Sequence, residues 1–405
     1  MKTPSDSPVP GLPRPDAAAA ALSRRLSARI GAVIEAAGGW IGFDRYMTLA
    51  LYEPGLGYYS NGRPVFGAGG DFVTAPELSP LFGATVARQV AHWLEDPALA
   101  AAGPAIVEFG AGSGLLASHL LNALDRLGHG GARYRIVELS ADLRQLQRKT
   151  IEARWPALLD RVEWLDALPA RFTGVVIGNE VLDAMPVRAF EWDGAALHEA
   201  GVARAGDGFG WAMRPADAAL AEAVAGLDGF GVERGAWHLP YRSEVCLQQS
   251  AWLATVAAML DAGAVLLFDY GFPAAEYYHP QRVGGTLMGH YRHRSHVDPF
   301  VWPGLSDITA HVDFSRLHAA AGAAGLTTLG YQSQARFLLN CGLLEELEAL
   351  PRDESKFWFS QAQAVQQLVS EAEMGELFKA IAFGKGLSDA AAAPGFGTRD
   401  RLATL

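Results

Sequence analysis

The sequence predicts an α/β fold, a mostly parallel sheet with helices on both faces. Three observations lead there. From Ala105 onward, short apolar runs rich in β-branched residues alternate with amphipathic segments, the pattern of repeated β-α units. A glycine-rich turn joins the first such run to the first such helix, in "IVEFGAGSGLL". The successive runs also end on polar residues, at the strand ends where open α/β sheets hold ligands.

The elements follow in order. Residues 1–16 are Pro-rich and read as a disordered tail. From Asp16 to Ala37, Leu22, Leu26, Ile30, Val33 and Ile34 recur at helical spacing, and Gly38-Gly39 stops the helix. The stretch "FDRYMTLALYEPGLGYYSNGRPVFGAGGDFVTAPELSP", rich in Gly, Pro and aromatics, reads as a long ordered loop region, and a helix follows over 81–94. Residues 17–100 thus form an accessory helical and loop region that contributes to a ligand site. The core spans 101–386. Its strands are "AIVEF", "YRIVEL", "VEWLD", "GVVIGNE" and "AVLLFDYG", with amphipathic helices after the first two. Insertions interrupt it near 187–245, 272–312 and 335–372. The helix–strand pair "DFSRLHAAAGAAGL" and "TTLGYQ" precedes the last insertion, and "FKAIAFGKG" closes the sheet. Within 335–372, Phe337, Leu338, Leu339, Leu343, Leu344 and Leu347 serve either a core or a homodimer face. Residues 387–405 read as a flexible tail.

Composition removes several classes. Half of the 405 residues are apolar, which supports a large core and excludes global disorder. A net charge of −11 argues against a general nucleic-acid or anionic-membrane binder. No apolar run approaches the ~20 residues of a membrane helix. Cys246 and Cys341 match no metal spacing and read as buried thiols of a reducing compartment. The N-terminal stretch lacks the apolar segment of a secretory signal, so the expected location is cytoplasmic, or the mitochondrial matrix in a eukaryote.

Gly110, Gly112 and Gly114 permit positive φ and close approach of a ligand to the backbone, and the helix beyond offers free N–H groups. The dinucleotide fingerprint needs a third glycine where Leu115 stands, which disfavours a nucleotide-dependent oxidoreductase. The spacing, with Glu108 two residues ahead, suits S-adenosyl-L-methionine, whose product is S-adenosyl-L-homocysteine. Glu138 ends the second strand, where an acid accepts from ribose hydroxyls. Asp166 ends the third, placed for the adenine amino group. Asn179 and Glu180 end the fourth, after the buried run Val175, Val176 and Ile177.

Five segments, "GDFVTAPELSPLFG" (70–83), "VEFGAGSG" (107–114), "GNEVLDAMPV" (178–187), "FDYGF" (268–272) and "SDITAHVDF" (306–314), resemble the MidA-like class I methyltransferases and stand in that family's order. The resemblance implies a Rossmann-like seven-stranded sheet, S-adenosyl-L-methionine as cofactor and a protein substrate. In a mitochondrial member that substrate is an arginine of a respiratory complex I subunit. It also implies that Gly110, Gly112, Gly114 and Glu138 hold the cofactor and that Phe72, Thr74 and Asn179 close over it. Better-known arginine methyltransferases grip the guanidinium with two glutamates on one hairpin. Here Glu180 stands at the strand tip, and Asp183 and Glu191 are the nearest acids.

Glu180 is the candidate to orient the acceptor, with Asp183 or His311 on the proton's route. In "HYRHRSH", His290, His293 and His296 read as a basic loop and not as a metal site, since the arginines between them repel a divalent cation. No metal is expected. Tyr277, Tyr278, Tyr291 and Trp302 suit a lid, a partner surface or a core. The competing function is a cofactor-binding assembly factor that transfers no methyl group.

Overall fold

Every apolar run expected from Ala105 onward forms a strand, because Val, Ile and Phe fit a pleated surface. The structure, a computed structural model, describes residues 11–63, 73–352, 355–388, 394–397 and 400–405. In chain order the strands are β1 (Ala105–Phe109), β2 (Arg133–Val137), β3 (Val162–Leu165), β4 (Phe172–Asn179) and β5 (Arg188–Trp192). Next come β6 (Leu197–Ala205), β7 (Gly208–Pro215), β8 (Tyr241–Val245), β9 (Leu260–Phe272) and β10 (Met288–Tyr291). The last are β11 (Arg294–His296), β12 (Asp307–Thr309), β13 (Val312–Asp313), β14 (Thr327–Ser333) and β15 (Phe378–Lys385).

The chain forms two compact units. One comprises Thr74–Leu182, Ser250–Gly271 and Phe314–Leu405. Seven strands of its sheet run in the order β14-β15-β9-β4-β1-β2-β3. The pairs of β1 with β2 and β4, β2 with β3, and β4 with β9 are parallel, whereas β15 lies antiparallel between β9 and β14. The chain adds strands on one side of β1 and then returns to the other, so a topological switch point falls between β1 and β4. Ile106, Val175, Ile177, Leu266 and Phe268 bury one face of the sheet in a core shared with the helices Pro80–Leu94 and Leu115–Arg126. Phe82, Val86 and Trp93 come from the first helix, Leu116, Leu120 and Leu124 from the second.

The other unit comprises Met1–Val73, Asp183–Gln249 and Phe272–Asp313. It carries the antiparallel sheet β7-β6-β5-β8, the small sheet β11-β10-β12, and the helices Ala17–Ala36 and Phe43–Tyr52. Asp16 caps the first helix by accepting from the Ala19 N–H at 2.8 Å. Ile30, Ile34, Phe43, Tyr46, Val187, Val202 and Ile308 form its main core.

Several expectations change here. The stretches 187–245 and 272–312 combine with the N-terminal segment into a unit with its own core, and are not separate decorations of the sheet. Residues 17–100 divide between the units at Val73/Thr74, because Pro80–Leu94 buries its apolar face on the sheet's core. The loop region after Gly42 begins as a helix, since Phe43, Tyr46, Met47 and Ala50 make an apolar stripe. "HYRHRSH" is the β10–β11 hairpin, with Arg292 and His293 both left-handed at its turn (φ 49° and 58°). Tyr277, Tyr278 and Tyr291 are buried in cores, with no exposed face for a lid. Phe337, Leu338 and Leu343 pack into the core of the sheet unit. The described part of 387–405 is packed: Phe396 is buried against Phe337, ring centroids 5.2 Å apart, and lies on the bare backbone of Gly330.

Both cysteines are buried thiols outside any disulfide among the described residues, and burial pushes the Cys341 thiol up to about 12. Among the described residues no helix is long and apolar enough to cross a membrane. Phe396→Ala should destabilise the protein by about 3 kcal/mol in urea unfolding, the usual cost of emptying a buried Phe site. A loss below about 0.5 kcal/mol would mean that the tail adds no packing energy.

Candidate active site

The register of the parallel strands brings four polar strand ends side by side. Phe109 pairs with both Val137 and Gly178, and Val137 pairs with Leu165. The residues that follow, Gly110, Glu138, Asn179 and Asp166, therefore emerge from neighbouring strands at one edge. Gly110, Gly112 and Gly114 have φ of 62°, 51° and 84°, left-handed geometry that glycine adopts without a side-chain clash. A Cβ at Gly110 would lie 2.9 Å from Val181 Cγ2. The turn closes through the Gly114 N–H donating to Ala111 O at 2.7 Å, and the helix Leu115–Arg126 starts from it. The N–H groups of that first turn have no partner within the helix ladder and suit an anionic group.

Glu138 is fixed at both oxygens. Its Oε1 accepts from the Ser140 N–H at 2.8 Å and its Oε2 from Gln147 Nε2 at 3.2 Å. Burial raises its carboxyl above the ordinary value, opposed by these hydrogen bonds. Gln147 also donates to Gly112 O at 3.1 Å and accepts from Trp164 Nε1 at 2.8 Å. One fully buried amide thus ties the glycine turn to the acid of β2 and to β3. The sequence reading missed Gln147, although its four-residue spacing from Ile151 places it on the buried stripe of the helix Ala141–Arg154.

Glu77 was missed as well. Its Oε1 accepts from Ser113 Oγ at 2.6 Å, joining the short helix Ala75–Leu78 to the glycine turn. Thr74 is buried, and its carbonyl accepts from Glu77 and Leu78 to start that helix. Phe72 lies outside the described residues. Asp166 is exposed and pairs with Arg144 at 2.7 Å, and Arg144 also donates to Leu165 O at 2.8 Å. Glu108 sits within the sheet, two residues before the turn, and accepts from the Tyr134 hydroxyl at 2.9 Å. Burial pushes its carboxyl from about 4.5 up to about 8, against the lowering effect of that hydrogen bond.

At the tip of β4, Asn179 Nδ2 donates to Glu180 Oε1 at 3.1 Å. Asn179 Oδ1 is buried and has no hydrogen-bond partner among the described residues. An unsatisfied buried acceptor is costly, so its presence points to a ligand donor. Glu180 has φ 52°, a left-handed backbone that costs a non-glycine residue about 1–2 kcal/mol. Its N–H is held by Phe268 O at 2.8 Å, and the next turn is held by Leu182 N–H donating to Asp269 Oδ2 at 2.8 Å. S-adenosyl-L-methionine carries an ammonium, ribose hydroxyls and an adenine amino group as donors, and a carboxylate as acceptor. The orphaned Asn179 Oδ1, the Glu138 carboxylate and the glycine turn fit that set.

The remaining candidates belong to the other unit. Asp183 O accepts from the Ala310 N–H at 3.0 Å, which sets Asp183 beside the segment that carries His311. The His311 N–H donates to Thr286 Oγ1 at 2.9 Å, and its ring stacks on Phe272 at 5.2 Å. Glu191 is engaged by Arg242 at 2.7 Å within the β5–β8 pair. Among the described residues no group of three or more His, Cys, Asp or Glu side chains could hold a metal ion.

Two outcomes follow. Gly110→Ala should weaken S-adenosyl-L-homocysteine binding by at least about tenfold in calorimetry, through the strained φ and the clash with Val181. Because the folded Glu108 keeps its proton between about pH 4.5 and 8 while the unfolded chain loses it, this group's stabilisation is full at acid pH and falls across that window. Glu108→Gln should flatten the fall in melting temperature between about pH 5 and about pH 8. An unchanged slope would contradict the burial account.

Comparison with known proteins agrees with the site. Residues 85–332 match the family described as S-adenosyl-L-methionine-dependent methyltransferase. The chain is 51% identical to a COG1565 superfamily member from Burkholderia thailandensis whose crystal structure holds S-adenosyl-homocysteine, covering 97% of this chain and 100% of that one with a TM-score of 0.90. It is 28% identical to the mitochondrial protein arginine methyltransferase NDUFAF7 of Danio rerio over 84% of this chain and 82% of the relative. The Drosophila melanogaster homologue is likewise 28% identical, over 90% and 85% of the two chains. The cofactor is therefore S-adenosyl-L-methionine, not a nicotinamide nucleotide. The chain belongs to the MidA-like, COG1565 family of class I S-adenosyl-L-methionine-dependent methyltransferases.

Proposed function

We propose that this methyltransferase acts on a protein substrate and that the acceptor is an arginine nitrogen. The names of the NDUFAF7 relatives support the arginine, and a respiratory-complex subunit as the partner is what the family resemblance implies. The observation that carries the reading is the Asn179–Glu180 pair, a carboxylate pinned by a strained backbone and by the neighbouring buried amide. Such strain persists where the surrounding structure over-determines it, and it marks functional positions.

The bound cofactor supplies an electrophilic methyl group on a sulfonium. An acceptor nitrogen forms the new N–C bond as the C–S bond breaks, and the guanidinium gives up one proton in all. Gly110, Gly112, Gly114, Glu138, Asp166 and Asn179 hold the cofactor in this reading, with Phe72 and Thr74 closing over it. Glu108 holds β1 beneath the turn. Glu180 orients the acceptor and draws on its proton, and Asp183 or His311 carries that proton away.

Labelled S-adenosyl-L-methionine incubated with the full chain and a lysate of its own cells should mark a protein on arginine, as located by mass spectrometry. Label confined to another residue type would remove the arginine assignment. Glu180→Gln should lower kcat by about 100-fold while cofactor affinity stays within about twofold of wild type. Undiminished turnover would exclude Glu180 from the chemistry.

A further inference from the structure

Hydrogen bonds, one ring stack and short steps along the chain connect a cluster within the unit that carries Asp183. The Tyr59 hydroxyl donates to Asp307 Oδ2 at 2.9 Å. The Tyr59 ring stacks on Tyr52 with centroids 5.6 Å apart. The Tyr52 hydroxyl donates to Ala184 O at 2.9 Å, and Ala184 follows Asp183. Asp183 O accepts from the Ala310 N–H, and Ala310 follows Thr309. Thr309 returns to Asp307, two residues away on β12 and therefore on the same face of the strand.

The chemistry of this cluster is one-sided. Asp183 and Asp307 are 5% and 2% exposed, so two carboxylates are withdrawn from water within one small cluster. Burial foremost, and then Asp307 and Asp183, lift the Tyr52 and Tyr59 phenols far above their usual range, which places both acids within electrical reach of both rings. Tyr52 keeps 41% of its surface exposed, so the stacked pair reaches the surface through Tyr52. Thr309 Oγ1 is an independent pointer: the residue is 2% exposed and its hydroxyl has no hydrogen-bond partner among the described residues. Two acids, an unsatisfied hydroxyl and an aromatic face suit a planar cation, which takes hydrogen bonds at its edge and stacks through its plane.

We propose that Tyr52, Tyr59, Asp183, Asp307 and Thr309 form the binding site for a guanidinium side chain of the protein substrate. The proposal rests on the methyl-transfer reading above and adds the specificity residues that it lacks. Asp307 and Asp183 neutralise the charge, Thr309 accepts one N–H, and the Tyr52 ring carries the plane.

Calorimetric titration of the full chain, loaded with S-adenosyl-L-homocysteine, with N-acetylargininamide and its neutral citrulline counterpart tests this. The arginine compound should bind at least about tenfold more tightly, and Asp307→Asn should erase the preference. Thr309→Val should weaken arginine binding several-fold while leaving S-adenosyl-L-homocysteine affinity and melting temperature unchanged or raising the latter, because the hydroxyl it removes makes no hydrogen bond among the described residues. Equal binding of the two compounds, or wild-type binding by a folded Thr309→Val, would overturn the site. Cation-selective binding without methylation of any protein would instead remove the proposed acceptor while this site stands.

Discussion

A buried amide at the end of a strand must satisfy both its donor and its acceptor, and Asn179 satisfies one within the described residues. Its Nδ2 donates to Glu180, its Oδ1 has no partner among the described residues, and the backbone of Glu180 is left-handed. Much of the sheet unit serves that corner. β4 delivers it through five consecutive buried positions, Gly174 to Gly178, and β9 holds it through Phe268 O and the Asp269 carboxylate. The parallel register sets Gly110 and Glu138 alongside.

The other anchor is Gln147. A cofactor site built from strand ends and a glycine turn is soft unless something rigid ties the parts together. Gln147 does this from a helix, reaching Gly112, Glu138 and Trp164 with a single side chain. Glu77 does the same from the other side through Ser113. The unit that carries Asp183 and His311 has a different design, with antiparallel sheets and buried tyrosine–carboxylate contacts.

Local chemistry was legible wherever it alone decides structure. The β-branched run before Phe109 gave β1 to the residue, and the glycines of the turn do adopt positive φ. Asp16 was read as the start of the first helix and is its cap. Long-range chemistry was not legible. Glu77 looks like an ordinary surface residue, and Gln147 shows only a place on a buried helix stripe, until the fold brings Ser113 and Gly112 to them. The second unit is not legible because its core draws on three distant segments, as when Ile41 bridges to Val202. The Arg292-His293 turn escaped because left-handed hairpin turns are usually signalled by Asn and Gly. Phe396 was lost in a tail of Ala and Gly whose composition says nothing of the groove over Gly330.

The central claim is that the polar end of β4 binds the cofactor through the unsatisfied oxygen of Asn179. Calorimetry of S-adenosyl-L-homocysteine against wild type and Asn179→Leu tests it most directly. The account requires tight binding by wild type and a loss of about 10- to 100-fold in the variant, the worth of a hydrogen bond to a charged or buried donor. Equal affinity in the two proteins would contradict it.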